Sequence, residues 1–165
     1  MGMNRSGLEI GSLNDLLPTS AINLHLASTE RREVLQELVN QIAEIAPDAA
    51  ARKALLHALE EREKLHSTGI GDGIALPHAR NALVGVVEHP ILVFGRHSTG
   101  IPFGAIDGAP ARLFFLIVAP TVTQHLAMLA RISRLLRDPK LRQGLLGAET
   151  EVEMRELLRA AEARL

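Results

Sequence analysis

Residues 113–137 read LFFLIVAPTVTQHLAMLARISRLLR, and the fold class can be inferred from this stretch. Its start, Leu113 to Val118, is a continuous apolar run, which is typical of a strand covered on both faces. The remainder has helical periodicity, with a stripe formed by Val122, Leu126, Leu129, Ile132 and Leu136. Thr121 and Gln124 have the spacing of a capping box, which predicts a helix over 121–137. A buried strand followed closely by an amphipathic helix indicates an α/β protein.

Other apolar patterns predict the remaining strands and helices. Candidate strands are Ile91 to Phe94, Ile74 to Leu76, Val84 to Val87, and one short edge strand within the turn-rich stretch from Leu13 to Leu26. Helical spacing and breakers predict helices from just after Ser28 or Thr29 to Pro47, from Asp48 to about Leu65, from Pro139 to Leu146, and from Glu149 to Leu165. Helices on both sides of a sheet give an α/β sandwich, whose strand order and direction stay open at this stage.

Composition narrows the classes of function. The 165 residues predict one domain, with residues 1–12 as a flexible leader and residues 13–165 as the folded part. The chain has no cysteine, which excludes disulfides, thiolate metal sites and thiol catalysis. It has no Trp or Tyr and a net charge of -1, so we expect no nucleic-acid partner. It has no long apolar run and no signal-peptide core, so we expect a cytoplasmic protein without membrane insertion.

The segment from Ser67 to His78, STGIGDGIALPH, concentrates the unusual residues. Three glycines at alternate positions allow backbone angles and ligand approaches that other residues hinder, and Pro77 fixes the backbone before His78. One interpretation is a ligand-binding loop with a reactive histidine. The other is a glycine turn between a helix and a strand, with a surface histidine after it. The spacing matches neither the P-loop nor the dinucleotide fingerprint, so direct nucleotide binding has no support.

Two further residues stand out on their helices. Arg62 follows the apolar positions Leu55 and Leu59, where a guanidinium is costly to bury without a partner. It either snorkels or pairs with a carboxylate, or it binds a phosphate with its planar fork. His125 lies in the first turns of the 121–137 helix, at the edge of the buried stripe. It is a structural histidine, a donor to a phosphoryl group, since helix N-termini attract anions, or a residue that fixes a neighbouring imidazole.

The other polar candidates carry weaker signals. No two of His25, His57, His66, His89 and His97 have compact metal-ligand spacing, so a zinc site has little support. Ser67, Thr68 and Ser98 lack the context of a hydrolase nucleophile, and Asp107 is most simply a turn residue before the Leu113 strand. A metal-dependent hydrolase stays a weak alternative.

The segment from Thr68 to His78 resembles the active-site signature of the type-2 enzyme IIA domains of the bacterial phosphoenolpyruvate-dependent phosphotransferase system. The resemblance extends from about Leu13 to about Leu158. It includes the loop from Ile101 to Gly108, the run from Leu113 to Pro120, and the segment from His125 to Pro139. It implies an α/β/α sandwich around a mixed, mainly parallel five-stranded sheet.

The resemblance also implies roles for particular residues. His78 would be the phosphorylated histidine, and Arg62 and His125 would be the accompanying active-site residues. Backbone N–H groups around Gly71 and Gly73 could add phosphate donors. No metal and no cofactor would be needed, because a neutral imidazole can take a phosphoryl group directly from a donor histidine. An imidazole of ordinary pKa is largely neutral at cytoplasmic pH.

The implied partners are a histidine phosphocarrier protein as donor and, downstream, a IIB protein or a regulatory target. The single domain and its Leu13–Leu17 opening favour the regulatory, nitrogen-related branch. A fructose- or mannitol-type IIA, which passes phosphate to a IIB cysteine for sugar uptake, is the alternative. A IIA-like binding module that is never phosphorylated is a third interpretation.

Overall fold

The computed structural model describes residues 10–81 and 86–165. Its helices are α1 (Leu13–Leu16), α2 (Arg31–Asn40), α3 (Ala49–Leu65), α4 (Val122–Leu135), α5 (Pro139–Gly147) and α6 (Glu151–Ala163). Its strands are β1 (Ile22–Asn23), β2 (Gly69–Gly71), β3 (Ile74–Ala75), β4 (Ile91–Ile101) and β5 (Ala111–Val118). A short 3-10 turn, Thr19–Ala21, precedes β1. Among these helices none has both the length and the apolar character needed to cross a membrane.

The five strands form one mixed sheet in the order β1-β4-β5-β3-β2. The pairs β1–β4 and β3–β5 are parallel, whereas β4–β5 and β2–β3 are antiparallel. The implied mixed five-stranded sheet is therefore confirmed, although parallel pairing accounts for only two of the four pairs. The longest pair, β4–β5, is an antiparallel hairpin, as expected for two strands joined by a connection too short for a crossover helix.

Helices cover both faces of the sheet, which confirms the sandwich. At Gly95 of β4, an added Cβ would lie 2.8 Å from Leu38 Cδ2, so this face is packed by α2, with α3 against α2. The next residue, Arg96, points to the opposite face, where Nη1 donates to carbonyls at the end of α5. Helix α6 packs on α5, and Arg131 of α4 pairs with Glu162 of α6 at 3.3 Å. Because successive β4 side chains point to opposite faces of the sheet, α2 and α3 form one helical layer and α4, α5 and α6 form the other.

Among the described residues, every helix except α2 begins with a side-chain cap, and the caps at Asp48 and Thr121 are those that the sequence predicted. The side chains of Ser12, Asp48, Thr121, Asp138 and Thr150 each accept a hydrogen bond from a backbone N–H of the following first turn. These residues satisfy donors that have no partner within the helix, so the chain enters each helix at a defined residue.

The first long helix ends earlier than predicted. Helix α2 stops at Asn40, and residues 43–47 form turns instead of continuing to Pro47. Ile45 N–H donates to Ile42 O three residues back, so tighter turns replace the α-helical pattern. Ile42 and Ile45 are nevertheless buried, because turns of this kind also bring residues three apart to one side. Apolar spacing alone could not separate the two conformations.

Three other sequence predictions, two strands and the N-terminal leader, can be compared with the structure. The edge strand predicted between Leu13 and Leu26 is β1, at one end of the sheet. The candidate strand from Val84 to Val87 lies partly outside the described residues. The 1–12 leader stays a prediction for residues 1–9, but Ile10 is buried in the core and Gly11 O accepts a hydrogen bond from Arg131.

Candidate functional site

The candidate site lies at the carboxyl ends of the parallel strands β3 and β5. Residues Leu76 and Pro77 extend β3, and His78 then pairs with Ile117 of β5 in a parallel bridge. Pro77 O accepts from Ile117 N at 3.0 Å, which fixes the residue before His78 to the sheet. Helix α4 begins four residues after β5 ends, so its first turn stands at the same edge. Ligand sites of open α/β sheets commonly lie at this edge.

The imidazole of His78 is held by a backbone carbonyl. Its Nδ1 lies 2.6 Å from Leu76 O, and a carbonyl can only accept a hydrogen bond. Nδ1 of the neutral ring therefore carries the proton and donates it to Leu76 O. The Nε2 atom then has a lone pair, so the geometry leaves one defined nitrogen of His78 as a nucleophile.

His125 lies beside His78. The two ring centroids are 5.4 Å apart with an interplanar angle of 59°. The His125 side chain is buried in the first turns of α4, where the positive end of the helix dipole favours an anion. The sequence offered a structural role, a phosphoryl-binding role and a role in fixing a neighbouring imidazole, and the proximity to His78 favours the last two over the first.

Arg62 completes the cluster from the last turn of α3. Its Nη1 donates to His66 O at 2.5 Å, which directs the guanidinium toward the segment that leads into β2. The guanidinium lies close enough to His78 to affect its pKa. Arg62 is half-buried, and the fully buried stripe of α3 consists instead of Leu55, Leu59 and Glu63. The arginine thus flanks the stripe, with part of its guanidinium at the surface.

The environment keeps both imidazoles neutral. Burial lowers the pKa of His78 below its usual 6.5, and the positive charge of Arg62 and a protonated His125 lower it further, against the Leu76 carbonyl, which favours the charged ring. Burial also lowers the pKa of His125. Both rings are consequently neutral at neutral pH, the state in which Nε2 of His78 can attack an electrophile.

Gly71 and Gly73 are not brought to His78. Gly73 O accepts from Leu113 N at the start of β5, whereas His78 bridges to Ile117. Four strand residues separate these two points, a distance of about 13 Å. The glycines are needed where they are for another reason: both have positive φ, and a Cβ on Gly71 would lie 2.9 Å from Asp107 Oδ2.

Asp107 fastens the hairpin that these glycines form. Its Oδ1 accepts from Ala109 N at 3.0 Å, which confirms it as a turn residue. Its Oδ2 also accepts from Asp72 N at 2.9 Å, between the two glycines. The backbone N–H of Asp72, which lies between the two predicted phosphate-binding glycines, is therefore already bound to a carboxylate. The phosphate role of Gly71 and Gly73 stays a prediction, and the contacts of this hairpin with Asp107 and β5 do not add to it.

Glu63 was missed at the sequence level. It is 6% exposed, and its two carboxylate oxygens accept from Thr68 N at 3.0 Å and from Thr68 Oγ1. Burial raises the pKa of Glu63, with the Thr68 hydrogen bonds and the charges of Arg31 and Arg62 opposing the shift. The signal was present, because Glu63 follows Leu55 and Leu59 at intervals of four and so continues the buried stripe.

The surroundings contain exposed apolar side chains but no clustered metal ligands. Val122 and Leu126 of α4 are 60% and 58% exposed, and they lie on either side of His125 in the sequence. Leu65, at the end of α3, is 50% exposed. Within residues 10–81 and 86–165, no group of three or more His, Asp or Glu side chains is arranged to hold a metal ion. His97 is a buried residue of β4 whose Nδ1 accepts from Gly100 N at 2.9 Å.

Comparison with known proteins gives the same family from sequence. The model of the family described as "Phosphoenolpyruvate-dependent sugar phosphotransferase system, EIIA 2" matches residues 15–161. The chain is 38% identical over 141 residues to the PTS system fructose-specific EIIABC component of Bacillus subtilis, a match that covers 84% of this chain and 22% of that protein. It is 37% identical over 128 residues to the nitrogen regulatory protein of Bradyrhizobium diazoefficiens, covering 76% of this chain and 80% of the relative.

Solved structures agree. Nitrogen regulatory protein IIA-Ntr from Neisseria meningitidis superposes with a TM-score of 0.76 at 29% identity, covering 88% of this chain and 98% of that one. IIA mannitol from Escherichia coli shares the fold with a TM-score of 0.72 at 24% identity, over 86% of this chain and 97% of that one. Together with the family match over residues 15–161, these likenesses show that the chain belongs to the EIIA 2 family of the phosphoenolpyruvate-dependent sugar phosphotransferase system.

Proposed function

We propose that this protein is a phosphoryl carrier in which Nε2 of His78 accepts the phosphoryl group of a phosphohistidine on a donor protein. The observation that carries the proposal is the hydrogen bond from His78 Nδ1 to Leu76 O, at 2.6 Å, in a ring whose pKa is lowered. It leaves Nε2 unprotonated and fixes the orientation of the ring relative to the Leu76 carbonyl. Membership of the family supports the same chemistry.

The transfer is balanced without a metal or a nucleotide. The Nε2 lone pair of His78 attacks phosphorus, a new N–P bond forms, and the donor N–P bond breaks with its electron pair left on the donor nitrogen. The proton on His78 Nδ1 stays in place, and Leu76 O stabilises the positive charge that the ring gains. Because the bond formed and the bond broken are of the same kind, the step is reversible.

Arg62 and His125 act on the phosphoryl group during this step. The guanidinium can face phosphoryl oxygens with its planar fork and offset their negative charge. The neutral His125 ring can donate one N–H to a phosphoryl oxygen, at the positive end of the α4 dipole. Their contribution is placement and charge stabilisation, the two effects that dominate phosphoryl transfer.

The donor is a histidine phosphocarrier protein, and it docks on the apolar rim of the site. Val122 and Leu126 are more than half exposed next to His125. A partner that covers them gains from burial of apolar surface and excludes water from the reacting nitrogen atoms. The same rim serves the downstream acceptor, since both partners need access to Nε2 of His78.

The downstream role we propose is regulatory. The chain is 37% identical to a nitrogen regulatory protein over 80% of that relative's length, and its fold is close to that of a nitrogen regulatory IIA. The second candidate is a sugar-specific IIA that passes phosphate to a IIB cysteine. It is favoured by 38% identity to a fructose-specific EIIABC component. Transfer to a fructose-type IIB thiol, with an N–P bond broken and an S–P bond formed, would distinguish the two.

The decisive experiment is phosphorylation by the purified upstream components. The chain is incubated with phosphoenolpyruvate, enzyme I and a histidine phosphocarrier protein, and acid-labile phosphate is mapped by mass spectrometry. We expect phosphate on His78, its loss in His78→Ala, and wild-type labelling in His57→Ala, which alters an exposed helical histidine. Full labelling of a folded His78→Ala protein would refute the assignment. No labelling of the wild type by several competent donors would favour the non-phosphorylated binding module.

A further inference from the structure

The backbone around His78 departs from regular strand pairing at one residue. Gly69 pairs with Ala75 in the β2–β3 hairpin, and continuing this register places Thr68 opposite Leu76. Leu76 N donates to Thr68 O at 3.0 Å, so this is a hydrogen-bonded antiparallel pair. In such a pair the two residues normally exchange both N–H···O bonds. The reciprocal bond would run from Thr68 N to Leu76 O.

That reciprocal bond is replaced by two others. Thr68 N donates to Glu63 Oε1 at 3.0 Å instead. Leu76 O accepts from His78 Nδ1 at 2.6 Å. One carboxylate thus takes the N–H that would otherwise be bound to Leu76 O, and the carbonyl is directed to the imidazole.

Glu63 is well placed for this task. The residue is buried, with 6% of its surface exposed, and its second oxygen accepts from Thr68 Oγ1. Both carboxylate oxygens therefore accept hydrogen bonds from one residue, Thr68. Burying a carboxylate costs free energy, and acidic residues are rarely buried unless their oxygens are paired in this way. A purely structural need to satisfy one backbone N–H would be met by Leu76 O itself.

We propose that Glu63 is a positioning residue that favours one tautomer of His78: by binding Thr68 N–H, it keeps a competing donor away from Leu76 O, so that this oxygen binds Nδ1–H strongly and the lone pair stays on Nε2. Glu63 acts through Thr68 and Leu76 and does not touch the phosphoryl group. The proposal rests on the proposed function only for its consequence for phosphoryl transfer. The tautomer itself is measurable in the unphosphorylated protein.

The test compares ring nitrogen shifts of His78 by NMR in the full chain. The wild type is expected to show a protonated Nδ1 and an unprotonated Nε2 above the titration range. In Glu63→Leu, Thr68 N–H can return to Leu76 O, so we expect a mixture of tautomers. We also expect phosphoryl acceptance to slow by a factor of about two to ten, the effect of losing one hydrogen bond.

Two variants distinguish an effect on the His78 tautomer from a general loss of local structure. Glu63→Gln keeps an acceptor oxygen for Thr68 N–H and is expected to restore the wild-type tautomer. Thr68→Val removes only the hydroxyl contact and is expected to leave the tautomer unchanged. A folded Glu63→Leu protein with the wild-type tautomer would overturn the proposal, and so would a Thr68→Val protein shifted as far as Glu63→Leu.

A measurement on the wild type covers the case in which Glu63→Leu does not fold. Scalar coupling across the hydrogen bond is expected between the Thr68 amide nitrogen and the Glu63 side-chain carboxyl carbon. Coupling from Thr68 nitrogen to the Leu76 carbonyl carbon would contradict the proposal. If His78 has the expected tautomer but no donor phosphorylates it, the proposed function fails while the role of Glu63 in setting the tautomer stands.

Discussion

His78 is expected to stay neutral at a pH where an ordinary histidine is mostly protonated. Burial, Arg62 and His125 together outweigh the Leu76 carbonyl and lower its pKa below 6.5. At pH 6.0 an imidazole of pKa 6.5 is about 24% neutral, and at pH 5.5 about 9%. If the rate of phosphoryl acceptance follows the neutral fraction, His78 must retain more than about a quarter of its high-pH rate at pH 6.0.

The assay distinguishes the pH dependence of His78, the acceptor, from that of the phosphoryl donor. A small donor, phosphoramidate, replaces the carrier protein, and its own pH dependence is measured in parallel with free imidazole. NMR titration of the His78 ring gives the midpoint directly. A midpoint at or above 6.5, or a rate at pH 6.0 below a quarter of the plateau, would refute the assignment of burial as the dominant cause. Arg62→Gln is expected to raise the midpoint toward 6.5 without reaching it, because burial remains.

The same shift predicts the sign of a stability change. The pKa of His78 is lower in the folded protein than in the unfolded chain, so below pH 6.5 the unfolded state binds the proton first. Folding stability contributed by the neutral ring is therefore complete above pH 6.5 and is lost as pH falls toward the folded-state pKa. Urea unfolding at pH 7.5 and 5.5 should show a larger loss for the wild type than for His78→Ala.

Three further predictions follow from single contacts. Arg62→Lys should slow phosphoryl acceptance, because a point charge does not reproduce the guanidinium fork, and wild-type transfer rates would argue against a direct phosphate contact. Leu126→Asp should slow transfer from the carrier protein but not from phosphoramidate, with the similarly exposed Val152→Asp on α6 as control; equal slowing with both donors would argue against docking there. Gly95→Ala should cost about 1–3 kcal/mol, since its Cβ would meet buried Leu26 and Leu38 at 2.8 Å. Thermal unfolding should show this as a fall of about 2–12 °C, while Gly147→Ala, which meets nothing within 4 Å, should show none.

The sequence predicted the buried parts of the fold well, because burial leaves a periodic pattern. The run from Leu113 to Val118 is a strand, and Thr121 caps the helix after it. Strand β2 was missed because Gly69–Gly71 carries almost no side chains and so has no pattern to find. The end of α2 was misplaced because Ile42 and Ile45 stay buried in turns that share the helical spacing.

For the candidate site, the sequence indicated which residue types could take part, but it did not give the strand pairing that places them. His78, Arg62 and His125 were selected as residues out of keeping with their local patterns, and the fold brings them together. Gly71 and Gly73, in the same loop, were predicted to add backbone N–H donors for phosphate. An antiparallel hairpin, however, carries residues five to seven positions before His78 to the far end of the strand pair. No local sequence signal gives that pairing.

The sequence by itself determined the α/β class, the helix starts at Asp48 and Thr121, and, together with the family resemblance, the choice of His78, Arg62 and His125 as candidate site residues. These depend on local spacing and on side-chain chemistry, which are visible along the chain. Only the tertiary structure decided which nitrogen of His78 is bound to a carbonyl, how the ring pKa values shift, and that Glu63 is bound to the segment before His78. Those properties depend on hydrogen bonds and burial created by strand pairing between distant segments, and such contacts exist only once the sheet has formed.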